Sequence, residues 1–215
     1  MIKAIVFDFD GVIVDSEKIW LASKIKTLKD LKLKLPKNKN IKQFYGVNSK
    51  IFFERNIGKD YYKKLQKKIK KYYKSNIEKS KTKFPKLNNE IYKIIKLKKF
   101  NKFIVSNNSK NYIVRILKHY KIFKYFKYAN IISLRHPSNQ KPNPFGYIQI
   151  LKKYKTTEVL IIEDSDTGIT AARLAKIKNI YKFIKKKEPR KYKFYKTFSK
   201  AITILNFIKE NEPYY

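Results

Sequence analysis

The stretch IKAIVFDFDGVIVDSE, at residues 2–17, decides the fold because an apolar run ends in two closely spaced aspartates. Its first six residues include β-branched and aromatic side chains and predict a buried β-strand. Side chains two apart in a strand lie on the same side, so Asp8 and Asp10 should emerge together at its carboxyl end, before a turn at Gly11. Two like charges at one point are costly unless a positive group, such as a divalent cation, lies between them. The alternative is a strand that ends in an ordinary polar turn.

The bulk composition narrows the class of protein. A chain of 215 residues with 43% hydrophobic residues can form one large domain, or a core with a smaller insert. The absence of cysteine excludes disulfides, thiolate zinc sites and a cysteine nucleophile. No apolar run approaches the roughly 18 residues that a membrane span needs, and no secretion signal is visible, so we expect a cytoplasmic protein.

The net charge of +37 is unusual and has two explanations. A selected surface for nucleic acid or an anionic membrane would be strongly basic. However, the basic residues are nearly all lysines and are dispersed along the chain, while Ile, Asn and Tyr are abundant and Gly is scarce. Drift in an AT-rich coding sequence would produce the same composition. The sequence leaves both explanations open.

The chain changes character near residue 85. Residues 17–84 are helical in pattern, with apolar residues at helical spacing between lysines that we interpret as a solvated face. After Pro85, helices alternate with strands, which indicates a mostly parallel α/β sheet covered on both faces. The predicted helices are 88–97, 111–120, 145–154, 166–175 and 200–209. The predicted strands after the first are 103–105, 129–132, 159–162 and 179–183.

Three polar clusters are predicted beyond the carboxyl ends of the strands, where parallel sheets carry their functional residues. Two of them follow predicted strands, and the third lies in a loop. FIVSNNS delivers Ser106 and Asn107 just before a helix, which suits an anion site or, equally, an ordinary helix cap. In QKPNPFGY, Lys141 precedes two prolines that fix the backbone, although a single lysine in this chain is unremarkable. In VLIIEDSDTG, the acids Glu163 and Asp164 end a buried run. Capping of the next helix is the alternative there.

Together, DFDGVIVDSE, VSNNS, KPNP and EDSDTGITAA resemble, in this order, the four motifs of the haloacid dehalogenase superfamily of phosphohydrolases. The similarity is to the branch with a helical cap inserted after the first strand, which contains β-phosphoglucomutase and many sugar-phosphate phosphatases. It covers essentially the whole chain. It implies a Rossmann-like, doubly wound parallel sheet core at residues 1–15 and 85–215, and a helical cap domain at 16–84. One departure is Lys176, which stands where the family usually has glycine.

The resemblance implies roles for the acidic residues. Asp8 would be the nucleophile that forms an aspartyl-phosphate, and Asp10 would protonate the leaving alcohol and later deprotonate water. Asp8, the backbone carbonyl of Asp10 and Asp164 would bind Mg²⁺, with Glu163 acting through water.

The resemblance also implies substrate contacts. Ser106 and the Asn107 backbone would hold phosphate oxygens, and Lys141 would balance the remaining negative charge. The loop YGVNSK is similar to the family's specificity loop, and its Asn48 and Lys50 would meet a polar substrate. The expected ligand is a small phosphorylated metabolite such as a sugar or sugar-acid phosphate.

Two further residue types separate the reaction classes that the resemblance allows. Family dehalogenases lack the second aspartate, so Asp10 argues against dehalogenation. β-Phosphoglucomutases carry a histidine shortly after the first motif, where this chain has Trp20, and His119 and His136 both lie in the core half. A phosphatase that acts on small phosphate monoesters is therefore expected. The resemblance implies a monomer, and we expect no specific nucleic-acid partner and no membrane partner. The alternatives are a sugar-phosphate mutase and a non-catalytic, basic nucleic-acid-binding protein.

Overall fold

The computed structural model describes residues 2–36, 44, 49–80, 82–154, 158–184 and 195–211. The chain divides into two compact units. The core unit comprises Met1–Val14 and Leu87–Tyr215, and the helical unit comprises Asp15–Lys86. The chain passes between them in two short strands, β2 (Val14–Asp15) and β3 (Lys86–Leu87), which pair with each other.

The core unit is built on a six-stranded sheet in which all neighbouring strands are parallel. Its strands are β1 (Ala4–Phe7), β4 (Asn101–Ser106), β5 (Ile131–Ser133), β6 (Val159–Glu163), β7 (Asn179–Phe183) and β8 (Lys196–Phe198). Its helices are α4 (Asn89–Ile95), α5 (Lys110–His119), α6 (Phe145–Tyr154), α7 (Asp166–Leu174) and α8 (Ala201–Glu210). The strand order β5-β4-β1-β6-β7-β8 confirms the predicted doubly wound α/β fold. The order of connection reverses at β1, and open α/β sheets bind ligands at the carboxyl ends of the strands at such a point.

The two central strands are apolar along their whole length because both of their faces are covered. All residues of β1 and β6 are buried, as expected for strands in the middle of a parallel sheet. On one face, Val6, Val105 and Ile161 pack in a single cluster with Tyr147 of α6 and Ile169 of α7. This packing fixes where β1, β4 and β6 end, and hence where the polar residues that follow them lie.

The helical unit contains α1 (Glu17–Asp30), α2 (Ser49–Ile57) and α3 (Lys59–Ser80) around an apolar and aromatic centre. The rings of Phe52 and Phe53 meet edge to face at 5.3 Å, and Tyr62 and Ile69 of α3 are buried beside other members of the cluster. The lysines of α3 are exposed, so they form the solvated face of an amphipathic helix.

The helical unit also buries polar groups between α1 and α3. Asn76 donates to Thr27 Oγ1 at 3.1 Å and to Asp30 Oδ2 at 2.8 Å, and Ser23 Oγ donates to Ser80 Oγ at 2.8 Å. These bonds satisfy side chains that would otherwise be costly to bury, and they fix the register of the two helices.

Most predicted elements agree with the structure, and two need correction. The helix 145–154 and the strand 179–183 were predicted with the observed bounds. The strand predicted at 129–132 is β5, Ile131–Ser133, because Tyr128–Asn130 forms a turn of 3-10 helix first. The edge strand β8 was missed, since three residues are too few to show a period. Within the described part of the chain, no helix has the length and apolar character that a membrane crossing needs.

Candidate active site

The site begins where β1 ends, with Asp8 and Asp10 on either side of a buried phenylalanine. The Asp8 backbone N–H still donates to Ile162 O of β6 at 2.9 Å, so the nucleophile candidate is held by the sheet itself. Phe9 is fully buried and meets Tyr112 of α5 edge to face at 6.0 Å. The two carboxylates therefore lie on the opposite side from an anchored ring, in the alternation that the sequence predicted.

A tight turn follows, and Gly11 is required there for two reasons. Its φ of 81° lies in the left-handed region, and its N–H donates to Val14 O at 2.7 Å. A Cβ at this position would also collide with the carboxylate of Asp164, which follows β6. The turn thus brings the loop after β1 into close contact with the acidic loop after β6.

Lys141 links the ends of β1 and β6. Its Nζ lies 2.5 Å from Asp8 Oδ1 and 2.5 Å from Glu163 Oε1, and it also donates to Val105 O at 2.7 Å. The side chain is 4% exposed, so these are buried, charge-assisted bonds. Composition did not distinguish Lys141 from the other lysines, but its ammonium lies between two of the acids, Asp8 and Glu163.

Glu163 is fully buried, and both of its carboxylate oxygens lie near side-chain donors. Tyr147 OH donates to Glu163 Oε1 at 2.7 Å, the oxygen that Lys141 also contacts, and Ser165 Oγ lies 3.3 Å from Oε2. A Cβ on Gly168 would collide with this carboxylate, so α7 packs directly against it. Glu163 therefore holds Lys141 in place. Tyr147 was not singled out from the sequence, because an aromatic residue at helical spacing is typical of a core.

The loop after β4 contributes the next group of residues. Ser106 is buried, and its Oγ accepts from Asn108 N at 3.1 Å, which leaves the hydroxyl proton available for an anion. Asn107 Oδ1 accepts from Lys141 N at 3.2 Å. Asn108 Nδ2 lies 2.5 Å from Asp10 Oδ2. The sequence marked this loop as polar, but it could not show that Asn108 points towards Asp10.

The electrostatics of the cluster are dominated by burial and excess acid. Burial raises the pKa of Asp8 to about 8, Glu163 and Asp10 add to the rise, and Lys141 opposes it. For Lys141, burial lowers the pKa, but Asp8 and Glu163 outweigh this and hold it above its ordinary value. Burial and Glu163 likewise hold the pKa of Tyr147 well above its ordinary value. One ammonium therefore serves several carboxylates, and the cluster would accept a further cation.

The donor set fits a magnesium ion. Asp8, Glu163 and Asp164 each offer a carboxylate oxygen, and these oxygens lie within 4.8 Å of one another. Hard oxygen ligands of this kind are those that Mg²⁺ takes, usually with several waters retained. Since both oxygens of Glu163 are already near protein donors, Asp8 and Asp164 are the better placed of the three.

The residues expected to meet the substrate from the helical unit are less informative. Asn48 lies outside the described residues. Lys50 is exposed in the first turn of α2, 3.7 Å from Glu54 one turn later. Neither Trp20 nor His136 was expected to contact the substrate: Trp20 is partly buried in α1, and His136, in the core unit, is exposed, with Nδ1 2.7 Å from Ser138 Oγ.

Comparison with solved structures finds the same fold in proteins of low sequence identity. A putative phosphoglycolate phosphatase from Lactobacillus plantarum is 17% identical, with a TM-score of 0.76 over 96% of this chain and 99% of that one. A putative β-phosphoglucomutase from Thermotoga maritima is 20% identical, with a TM-score of 0.67 over 97% and 99%. The β-phosphoglucomutase from Clostridium difficile is 18% identical, with a TM-score of 0.71 over 98% and 96%. No curated protein matches the sequence significantly.

The family itself is established by sequence. The model of the family described as haloacid dehalogenase-like hydrolase matches residues 5–182, which include all four motifs, the whole of β2 to β6 and all of β1 but its first residue. The chain therefore belongs to the haloacid dehalogenase-like hydrolases.

Proposed function

We propose that the protein is a Mg²⁺-dependent phosphatase of small phosphate monoesters, most simply a sugar or sugar-acid phosphate. The observation that carries the proposal is the buried Lys141 ammonium between Asp8 and Glu163. Phosphoryl transfer needs a fixed nucleophile and positive charge around the phosphoryl oxygens. Asp8 is fixed by the sheet and Lys141 is fixed by Glu163, which supports both roles.

In the proposed reaction, an oxygen of Asp8 attacks phosphorus and the bond to the ester oxygen breaks. Asp10 gives its proton to the departing alcohol, and an aspartyl-phosphate remains. Asp10 then takes a proton from water, which attacks this phosphorus and releases inorganic phosphate with Asp8 restored. Ser106 Oγ–H, at the end of β4, and the N–H of Asn107, which follows it, would donate to the phosphoryl oxygens.

Mg²⁺ bound by Asp8, Asp164 and the Asp10 carbonyl would supply the charge that keeps Asp8 ionised and offsets its repulsion with phosphate. Glu163 supports this arrangement from the protein side, since it holds Lys141 next to Asp8. Asp10 also distinguishes hydrolysis of an ester from dehalogenation, which has no alcohol to protonate.

A sugar-phosphate mutase is the second candidate, because solved structures of the same fold are named for both activities. The absence of histidine from residues 16–84 favours the phosphatase. The net charge of +37 does not require a nucleic-acid partner. We expect any such binding to be independent of sequence and to weaken steeply with salt.

The test is a panel of phosphorylated metabolites, followed for inorganic phosphate and for isomerised sugar phosphate in the same samples. We expect phosphate release from alkyl phosphates without a bisphosphate activator, its loss with EDTA and its return with excess Mg²⁺. Isomerisation without phosphate release would favour the mutase. Activity that persists in EDTA would contradict the proposed metal dependence, and no turnover of any ester would contradict the phosphatase itself.

A further inference from the structure

Asp10 has a close partner in the core unit that the proposed reaction has not used. Asn108 Nδ2 lies 2.5 Å from Asp10 Oδ2, and the two residues are 98 positions apart in the chain. The carboxylate follows β1 and the amide follows β4, so the contact joins the ends of two neighbouring strands. An amide N–H that donates to one carboxylate oxygen restricts rotation of the carboxylate and leaves the other oxygen to face a reacting group.

The backbone of Asn108 is itself held from two sides. Its N–H donates to Ser106 Oγ at 3.1 Å, and its carbonyl accepts from Ser133 Oγ at 2.6 Å. Ser106 and Ser133 are opposite each other in the register of β4 and β5. The next residue, Ser109, caps α5 by accepting from Tyr112 N at 3.4 Å. Both strands and the helix start therefore fix the Cα from which the amide reaches Asp10.

The surroundings of Asp10 support an oriented carboxylate. Tyr112, on the first turn of α5, is 4% exposed, and burial together with the Asp10 charge raises its pKa. Its ring packs against Phe9, the residue directly before Asp10. The ring of Tyr112 in α5 contacts Phe9, and the amide of Asn108 in the loop before α5 contacts Asp10. Both therefore contact the short turn that follows β1.

We infer that Asn108 is a positioning residue for Asp10, which it holds in the orientation needed to protonate the leaving alcohol. The inference rests on the proposed function, since it presupposes that Asp10 acts on the leaving group. It concerns orientation alone: Asn108 does not contact phosphorus or the ester oxygen in this role. Removal of its amide should therefore impair only those steps in which Asp10 gives or takes a proton.

The dependence on the leaving group tests this role. An alkyl phosphate needs its leaving oxygen protonated, whereas 4-nitrophenolate leaves at neutral pH as a stable anion. For a reaction through a covalent intermediate, kcat/KM reports only the steps up to formation of that intermediate, so it isolates the leaving-group step. For Asn108→Ala we expect kcat/KM to fall about 10- to 100-fold with an alkyl phosphate and less than about threefold with 4-nitrophenyl phosphate.

Four further variants complete the design. Asp10→Asn should show the same selectivity with a larger loss, and the double variant Asp10→Asn/Asn108→Ala should lose no more than Asp10→Asn alone. Ser133→Ala, which removes a bond to the Asn108 carbonyl, should show a weaker form of the same pattern. Asn111→Ala, at an exposed asparagine in the first turn of α5, is the matched control and should behave as the wild type.

Equal losses with both esters would overturn the inference, since they would indicate a phosphate contact or a loss of fold. Losses that multiply in the double variant would also overturn it, because Asn108 would then act independently of Asp10. Circular dichroism and the thermal midpoint of each variant identify loss of fold. Failure of the proposed function is a different result: the wild type itself would then hydrolyse neither ester.

Discussion

In the helical unit the buried Asn76 and Thr27 bond to each other between α3 and α1, whereas in the core unit the buried Asp8, Lys141 and Glu163 meet at the ends of β1 and β6. Asn76 and Thr27 join helices and contact no acidic cluster among the described residues. Asp8, Lys141 and Glu163 are held by strands and helices, yet together they leave several like charges in one place. A polar network that only stabilises a fold has its charges matched. A network with unbalanced charge can bind an ion or ligand of opposite charge, but the unbalanced charge lowers the stability of the fold.

The change with the largest expected effect is Asp8→Asn. The amide has nearly the same shape but cannot attack phosphorus, so kcat should fall by at least about a thousandfold. Because burial disfavours the charged form of Asp8, the neutral amide should leave the thermal midpoint unchanged or raise it. Phosphate release and thermal unfolding measure the two effects. Asp60→Asn, at an exposed position in α3, is the control. A midpoint that falls together with activity would mean that Asp8 is structural.

Gly11→Ala comes next, and the helical unit offers its matched control. Gly11 and Gly58 have similar positive φ values, 81° and 87°, but only at Gly11 would a Cβ collide with a carboxylate, that of Asp164. Nothing lies within 4 Å of a Cβ built on Gly58. Both substitutions should lower the free energy of unfolding by about 1 kcal/mol through backbone strain. Only Gly11→Ala should also reduce kcat/KM, on the order of a hundredfold, because it displaces a proposed metal ligand. Equal kinetic effects at the two glycines would contradict the site.

The contrast between the units also explains what the sequence could predict. The stretch IKAIVFDFDG combines a strand, a turn and two acids within a few residues, so its local structure follows from its own side chains. The contact between Asn108 and Asp10 joins residues far apart in the chain, and only the register of β1 with β4 creates it. Tyr147 was overlooked for the same reason. Its hydroxyl reaches from α6 to Glu163 at the end of β6, and helical periodicity describes only its ring.

Composition hid further features. Composition alone could not separate Lys141 from the other lysines, and only the resemblance of KPNP to a family motif marked it, because most lysines in the described part of the chain are exposed. Lys24 and Lys102 are likewise buried, although their local sequence resembles that of exposed lysines. The edge strand β8 pairs with only one neighbour, and its three residues carry no alternation of their own. Tertiary context decides such cases, and a single sequence does not contain it.

Lys24→Met tests the cost of charge burial in the helical unit. Lys24 is 5% exposed and lies over the Phe52 ring, and burial lowers its pKa from 10.5 to about 8, although Glu17 opposes the shift. Between these pH values the unfolded chain binds the proton and the folded chain does not. The contribution of Lys24 to the free energy of unfolding of the wild type should therefore rise with pH across this window. It should be lowest below pH 8. The full difference is worth at most about 3 kcal/mol.

Methionine has a similar volume and carries no charge, so the Lys24→Met variant should be more stable than the wild type at pH 7. The gain should shrink as the pH rises from 8 to 10.5. Urea denaturation at several pH values measures it, and the difference between the two proteins cancels the titration of other lysines and tyrosines. A constant difference across this range would mean that Lys24 titrates alike in both states.

Asn76→Ala should destabilise the helical unit by about 1–2 kcal/mol, because Thr27 and Asp30 lose a buried donor. Ser75→Ala, at the adjacent exposed position of α3, is the control and should change stability by less than about 0.5 kcal/mol. The kcat/KM ratio between alkyl and aryl phosphates should not change in either variant. A change in that ratio would contradict the purely structural role of this network.

The smallest expected effect concerns a type of helix end that occurs in both units. Lys32, Lys121 and Lys176 follow α1, α5 and α7 with φ values of 53°, 56° and 60°, in the left-handed region where glycine is favoured. After α7, Lys176 N donates to Arg173 O at 2.8 Å and Ile177 N to Ala172 O at 3.2 Å, which closes the helix end.

Lys176→Gly should therefore raise the free energy of unfolding by about 0.5–1 kcal/mol, since the relief of strain exceeds the entropy that glycine adds to the unfolded chain. Lys32→Gly should give a gain of the same size in the helical unit. Lys178→Gly, an exposed position close to Lys176 without a positive φ, should give none and serves as the control. Chemical denaturation at pH 7 resolves differences of this size when the denaturant dependence is unchanged. Equal gains at Lys176 and Lys178 would trace the effect to the loss of a positive charge from a chain of net charge +37, and not to backbone conformation.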